Sequence, residues 1–413
     1  MALNPIAFTE KVVRSFLRYQ LTAYPFADEN IHAQMRQLLS LDQTRQSPLL
    51  KGPYVSLSRP FRQGMSIDEL ITDGILHPHM RRRIPEEITH AYGHQEEAIR
   101  AISAGRTTLV STGTGSGKTE CFLYPIVSKC LELRDNGEPA GISAVIVYPM
   151  NALAEDQLGR LRSLLSGTGI PFGMYIGKTP ERDNEVTGVR LPTGASRADY
   201  EAHLAKVRGE KRSESVHPPE EVCSREIMRM AGKQPRILLT NVKQLELLLT
   251  RQQDIELFTD ARLDFLVFDE AHTFTGARGA ETACLIRRLR AFCGREEQET
   301  VCVATSATIV DKENPEAARE FAVRFFGVPK VDVTTVGETY EPEVWASGRT
   351  VPPAPAADPA QLLNECVAAV EDETGDAVRA IYRDLAGDNL EYSPDWHLVL
   401  HAALLKKTSW SFS

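Results

Sequence analysis

From residue 107 onward the chain alternates short apolar, β-rich runs with longer amphipathic stretches. The runs are Thr107–Ser111, Ala144–Tyr148, Gly173–Ile176, Arg236–Thr240, Phe265–Phe268, Val301–Thr305 and Val331–Val336. Short runs rich in β-branched and aliphatic residues predict strands. Such strands, separated by helical segments, predict an α/β fold: a parallel sheet covered by helices on both sides. Between Lys178 and Gln234 the rhythm gives way to polar sequence, which reads as a surface insertion (178–234). Residues 1–90 predict a mostly helical N-terminal extension, with Val12, Val13, Phe16, Leu17 and Tyr19 at helical spacing. A turn-rich stretch around Gly52-Pro53 and Pro60 and the basic run Arg81-Arg82-Arg83 complete that region. Val351–Ala360 marks residues 341–360 as a Pro/Ala linker, too rich in proline for a helix or central strand. A short helical segment over 361–413 closes the chain.

Composition narrows the class. Of 413 residues, 42% are hydrophobic and 25% charged, which is ordinary for a globular chain long enough for two or three domains. No apolar stretch is long enough to span a bilayer, and residues 1–5 show no basic region leading into an apolar run. The seven cysteines are scattered, with no Cys-x-x-Cys pair, which predicts a reducing cytoplasmic setting and no zinc module. His77, His79, His90 and His94 lack both a nearby cysteine and a His-x-x-x-His spacing, so no metal site is expected among them. The net charge of −9 is uneven: residues 311–413 hold 18 acidic against 9 basic side chains, and the rest is balanced. Global acidity neither recommends nor excludes a local grip on nucleic acid.

The chemistry sits at two strand ends. Thr112-Gly113-Thr114-Gly115-Ser116-Gly117-Lys118-Thr119 follows the first apolar run and opens a helical stretch. Glycines let a backbone turn tightly and aim its N–H groups at phosphate oxygens beside a helix N-terminus. Lys118 would add a cation on the β/γ-phosphates, and the Thr119 hydroxyl would ligate Mg²⁺. The general phosphate-loop pattern begins with Gly, and Thr112 stands there instead. The competing reading is a glycine-rich turn that binds nothing; Lys-Thr at this spacing, between strand and helix, argues against it. Asp269-Glu270-Ala271-His272 ends the apolar run Phe265–Phe268. There Asp269 would hold Mg²⁺ through water and Glu270 would polarise an attacking water. Alone, such a pair is more often a solvated strand end.

With these motifs in view, residues 91–340 resemble the first RecA-like, ATP-binding domain of superfamily 2 DEAD/DEAH-box helicases. The resemblance implies further roles. Gln95, in Tyr92-Gly93-His94-Gln95, stands where the family's Q motif reads adenine. Tyr148-Pro149-Met150-Asn151 is similar to motif Ia and Leu239-Thr240-Asn241 to motif Ib. Pro149, Asn151, Thr240 and Asn241 would then touch the nucleic-acid backbone. Ser306-Ala307-Thr308 matches motif III, so Ser306 and Thr308, with His272, would couple the ATP site to the strand. A finer resemblance is to large bacterial phage-defence helicases (Druantia-like and DISARM-like) and to DUF1998-associated repair helicases. It rests on Gly117-Lys118-Thr119-Glu120 with Phe122-Leu123, on Tyr148-Pro149-Met150-Asn151, on Gly276-Ala277-Arg278-Gly279, on the leader Gly52-Pro53-Tyr54 to Phe61, and on Gly74-Ile75-Leu76-His77-Pro78.

The chain departs from the family in one respect. The motor's second RecA-like lobe carries Gln-x-x-Gly-Arg-x-x-Arg, whose arginines stabilise the transferring phosphoryl group. After Pro329 the arginines are Arg349, Arg379 and Arg383, none in that context. Two expectations therefore stand side by side. In one, the chain is the ATP-binding lobe of an ATP-dependent helicase, acting on DNA more than RNA and completed by a second polypeptide. In the other, it is a non-catalytic ATP- and nucleic-acid-binding module or a truncated remnant of a larger helicase.

Overall fold

All seven apolar runs are strands in the computed structural model of the protein, displaced by two residues at most. The structure describes residues 60–341 apart from 114, 210–213 and 308–314, together with parts of 11–22 and residues 28–39. The linker expected at 341–360 and the helical segment expected at 361–413 lie outside the described residues, Glu341 excepted. Residues Pro60–Glu341 form one compact unit. In the other unit, the helix Glu29–Leu39 is described.

The compact unit begins with β1 (Gln63–Ser66) and β2 (His90–Tyr92), paired antiparallel. There follow β3 (Thr107–Ser111), β4 (Ala144–Tyr148), β5 (Phe172–Tyr175), β6 (Val189–Arg190), β7 (Val216–His217) and β8 (Glu221–Val222). The last four are β9 (Ile237–Asn241), β10 (Phe265–Phe268), β11 (Val301–Ser306) and β12 (Val333–Gly337). Eight of them build one sheet in the order β12-β3-β11-β10-β4-β9-β5-β8, and every pairing in it is parallel.

Period-two alternation divides the sheet's side chains between two cores. Ala144, Ile146 and Tyr148 of β4, Ile237 and Leu239 of β9, and Phe265 and Val267 of β10 enter one core. The helices Lys118–Asp135 and Asn151–Leu165 cover it through Phe122, Ile126, Leu158 and Leu161. Val145, Val147, Leu238, Leu266 and Phe268 enter the other. That side is covered by Val242–Thr250, Gly276–Phe292 and Pro315–Phe326 through Leu245, Leu285, Ile286, Ala318 and Phe325. Both faces being buried is why β4 and β10 read as continuous apolar runs, each large side chain adding about 1.5–3 kcal/mol.

Two segments differ from the sequence reading. Residues 60–90 pack on the sheet unit instead of standing apart: Ile67, Leu70, Leu76, Met80 and Ile84 join the first core. Ser66 caps the helix Ile67–Thr72 in a reciprocal box with Glu69. The basic run is also accounted for in part, since Arg83 Nη1 donates to the Ser166 carbonyl at 2.7 Å and caps the end of Asn151–Leu165. Within 178–234, β6, β7 and the helix Arg197–Gly209 gather a small core of their own around Tyr200 and Val216. The same segment adds β8 to the sheet edge, where Arg162 grips Glu221 with two bonds of 2.7 Å. The two-residue strand is too short to show as an apolar run.

Candidate nucleotide site

The carboxyl ends of β3, β10 and β11 lie side by side, because β11 pairs with both of its neighbours. The loop after β3 turns into the helix Lys118–Asp135 through Gly115 (φ 82°) and Gly117 (φ 77°). The amide tip of Gln95 lies against Gly117, where a Cβ would meet its Nε2 at 2.2 Å and push it aside. Thr112 needs no glycine-like backbone. Its N–H donates to the Ser306 carbonyl at 3.0 Å and its hydroxyl pairs with Ser116 Oγ at 2.6 Å, so its side chain staples the loop from inside. Ser116 Oγ in turn donates to the Gly113 carbonyl at 2.9 Å. Lys118 is buried, donates to the Thr112 carbonyl at 3.0 Å, and lies 3.8 Å from Glu270 Oε1. Thr119 is half-buried beside it. Thr114 lies outside the described residues.

Asp269 and Glu270 leave β10 at the same edge. Glu270 has a left-handed backbone (φ 51°, ψ 48°), a conformation that costs a non-glycine residue about 1–3 kcal/mol and gathers at functional sites. Thr305, at the end of β11, secures both acids. Its hydroxyl accepts the Glu270 N–H at 3.1 Å and donates to Asp269 Oδ1. Burial pushes the Asp269 carboxyl above its usual range, opposed by the Thr305 hydrogen bond, while the Glu270 charge adds to the rise. A desolvated carboxylate next to another acid favours a cation, and Glu270 Oε2 is buried without a hydrogen-bond partner. His272 Nδ1 lies 3.3 Å from that oxygen but is not aligned to bond it.

Gln95 lies across the loop. Its Oε1 accepts the Tyr92 N–H at 2.9 Å and its Nε2 donates to the Gly117 carbonyl at 3.1 Å. The neighbouring His94 is buried and bonds Ser116 O at 2.8 Å through Nε2. One cavity of about 790 Å³ is lined by Gln95, Gly115, Gly117, Lys118, Thr119, Asp269 and Glu270. It has the size of a ligand pocket. Loop glycines, a helix N-terminus and one buried ammonium suit a polyphosphate. Asp269 and Thr119 could hold a divalent cation there.

The strand ends further along the sheet give a mixed outcome. Pro149 and Asn151 are half-buried at the β4 edge next to exposed Met150. Asn241 Nδ2 donates to Asn151 Oδ1 at 2.7 Å, so the two loops are tied together. Thr240 departs from its expected role as a backbone contact. It is fully buried, and its hydroxyl donates to the Tyr175 carbonyl at 2.7 Å inside the sheet. Ser306 is buried with its carbonyl on Thr112, and Thr308 lies outside the described residues. His77 and His79 come together with Asp135, three ligand atoms within 4.8 Å, a grouping that sequence spacing did not signal. Arg134 already donates to His79 Nδ1 and Asp135.

The geometry agrees with the comparison to known families. A family model described as DEAD/DEAH box helicase matches residues 92–191 and 191–316, more than half of the chain. The chain belongs to the DEAD/DEAH box helicase family. Among curated relatives of this helicase chain is the Druantia protein DruE of Escherichia coli (strain UMEA 4076-1), 29% identical over 75% of this chain and 21% of that protein. Another is the uncharacterized ATP-dependent helicase YprA of Bacillus subtilis (strain 168), 26% identical over 63% of this chain and 27% of its own length. This chain thus spans about a fifth to a quarter of these relatives. Among solved structures, the DUF1998 helicase MrfA bound to DNA and AMPPNP aligns with a TM-score of 0.44 and 22% identity, covering 79% of this chain and 39% of that one.

Thr305 was missed by sequence reasoning, which began motif III one residue later. Its signal was faint: a hydroxyl residue among the last of an apolar strand, level with the acid that ends the neighbouring strand. Replacing Thr305 by valine keeps the shape and removes both bonds. The expected result is a roughly tenfold loss of the Mg²⁺-dependent part of ATP affinity, from hydrogen bonds to charged groups of about 1.5–3 kcal/mol. Calorimetry with Mg²⁺ and with chelator measures it, and Thr305→Ser should restore the wild-type difference. An unchanged Mg²⁺ increment in Thr305→Val removes the role.

Proposed function

We propose that this chain is the ATP-binding lobe of an ATP-dependent nucleic-acid helicase that works on DNA, in the cytoplasm and in phage defence. The observation that carries the reading is the convergence of Lys118, Asp269, Glu270 and Gln95 on one cavity at the carboxyl edge of a parallel sheet. Lys118 and the N-terminus of its helix bind and orient the triphosphate. Thr119 and Asp269 would hold Mg²⁺, which supplies charge neutralisation on the phosphates. Glu270, left unbonded at Oε2, orients the attacking water. Gln95 holds the loop through Gly117, and adenine would compete for its amide.

DNA and phage defence follow from the resemblance to Druantia-like and DUF1998-associated helicases. Strand contact falls to Pro149, Met150, Asn151 and Asn241. The phosphoryl-stabilising arginines of a second lobe come from further sequence or a second polypeptide. No helix among the described residues is long and apolar enough to cross a membrane. The reading as a binding module without turnover shares the same nucleotide site and differs in hydrolysis alone.

The test uses fluorescent single strands of DNA and RNA with the full chain. An ATP analogue should tighten the grip on single-stranded DNA several-fold, with RNA bound more weakly. Asn151→Ala should reduce that gain, because it breaks the tie to Asn241 at the strand edge. If neither strand binds and the analogue changes nothing, the helicase-lobe reading fails.

A further inference from the structure

The parallel register of β12 with β3 sets Gly337 against Ser111. The next residue of each strand therefore meets across the start of the phosphate loop, and Glu338 is delivered there. Glu338 Oε1 accepts the N–H of Gly113, and its other oxygen accepts the Tyr340 hydroxyl. The approach is close enough that a Cβ on Gly113 would lie 2.9 Å from Glu338 Oε1. An acidic side chain thus holds the Gly113 N–H, at the second position of the candidate phosphate loop.

The segment that carries Glu338 is itself anchored. Arg62 N–H donates to Thr339 O at 2.9 Å, Glu341 N–H to Pro60 O at 3.1 Å, and Gln63 N–H to Glu341 Oε1 at 2.8 Å. Tyr340 stacks on Phe61 with ring centres 5.5 Å apart. Pro60, Phe61, Gln63 and Glu341 line the same cavity as the loop. Lys118, meanwhile, is satisfied internally by the Thr112 carbonyl and lies close to Glu270. The Gly113 N–H and the Lys118 ammonium are thus both held by the protein's own oxygens, while Gly115, Gly117 and Lys118 of the loop face the cavity.

We propose that Glu338 is an internal competing anion that sets the affinity of this site for nucleoside phosphates. This rests on the nucleotide-site reading above. A polyphosphate arriving at Lys118 brings several negative charges toward a carboxylate fixed on Gly113, and the repulsion grows with the number of phosphates. Removing the charge while keeping the shape relieves it.

The experiment measures ATP, ADP and AMP binding to the full chain by calorimetry or by displacement of a fluorescent nucleotide. Glu338→Gln should bind ATP about three- to tenfold more tightly than wild type, the size of one screened repulsion at close range. The gain should be smaller for ADP and smallest for AMP, a gradation that a purely structural effect would not produce. Glu338→Asp, which keeps the charge but draws it back from Gly113, should fall between the two and serves if the glutamine variant folds poorly. Equal ATP affinity in wild type and Glu338→Gln, weaker binding in the variant, or one gain common to all three nucleotides overturns the proposal. Lys118→Ala run in parallel separates the two levels: if it abolishes binding while Glu338→Gln changes nothing, the nucleotide site stands and the competing anion does not. If wild type binds no nucleotide, the site reading itself falls.

Discussion

Lys118→Ala is expected to weaken ATP binding by roughly 10- to 100-fold, the largest effect of any single substitution in the loop. The ammonium is buried, and hydrogen bonds to charged groups contribute about 1.5–3 kcal/mol in such settings. It is the one lysine lining the cavity among the described residues, and it lies between the Thr112 carbonyl and Glu270. Its loss would leave Asp269 and Glu270 as two acids without a cation, so an anionic ligand would meet repulsion where it now meets attraction. Lys118→Arg should not rescue binding, since a planar fork does not fit where a compact ammonium points at one carbonyl. Calorimetry on folded variants decides the matter; equal ATP affinity in Lys118→Ala and wild type would remove the phosphate-loop assignment.

The 413-residue chain assayed alone is expected to turn over ATP near background. Loop, acids and cation are gathered, so the ground-state complex should form. Hydrolysis also needs compensation for the charge that develops on the transferring phosphoryl group. Among the described residues lining the cavity the arginine is Arg160, and it is paired with Glu120 at 3.1 Å. A missing arginine finger costs a factor of about 10³ or more, equivalent to about 4 kcal/mol in the barrier. Phosphate release should rise, and depend on Glu270, when a polypeptide carrying a second RecA-like lobe is supplied with single-stranded DNA. Robust strand-stimulated turnover or unwinding by this chain alone, abolished by Glu270→Gln, would refute the half-motor reading.

Much of this was legible in the sequence because its causes are local. Strands buried on two faces favour apolar and β-branched residues, so β4 and β10 could be read to the residue from Ala144–Tyr148 and Phe265–Phe268. The phosphate loop was equally plain, since tight turns and phosphate contact demand glycines at fixed positions before Lys118. Asp269 and Glu270 followed from being the first acids after an apolar strand. Gly117 shows how far such reasoning goes: the sequence marked it for its turn, while the structure adds that the Gln95 amide packs against it.

The tertiary structure decided whatever depends on which strand lies beside which. Strand order is set by crossovers and packing, and no local pattern records it. Only the pairing of β10 with β11 turns Thr305 into the residue that secures both acids. Only the pairing of β12 with β3 carries Glu338 from far along the chain onto Gly113. The burial of the Thr240 hydroxyl has the same cause, because β5 lies beside β9 and takes that hydroxyl into the sheet. The eighth strand and the packing of residues 60–90 also escaped the sequence. A two-residue strand carries no periodic signal, and Ile67 or Met80 is recognisable as core only once the surface it covers exists. The sequence by itself determined the loop, the acids and the apolar strands, each fixed by neighbours within a few residues. The folded sheet determined the partners, because hydrogen bonds between strand ends form between residues that are distant in the chain and adjacent only through register.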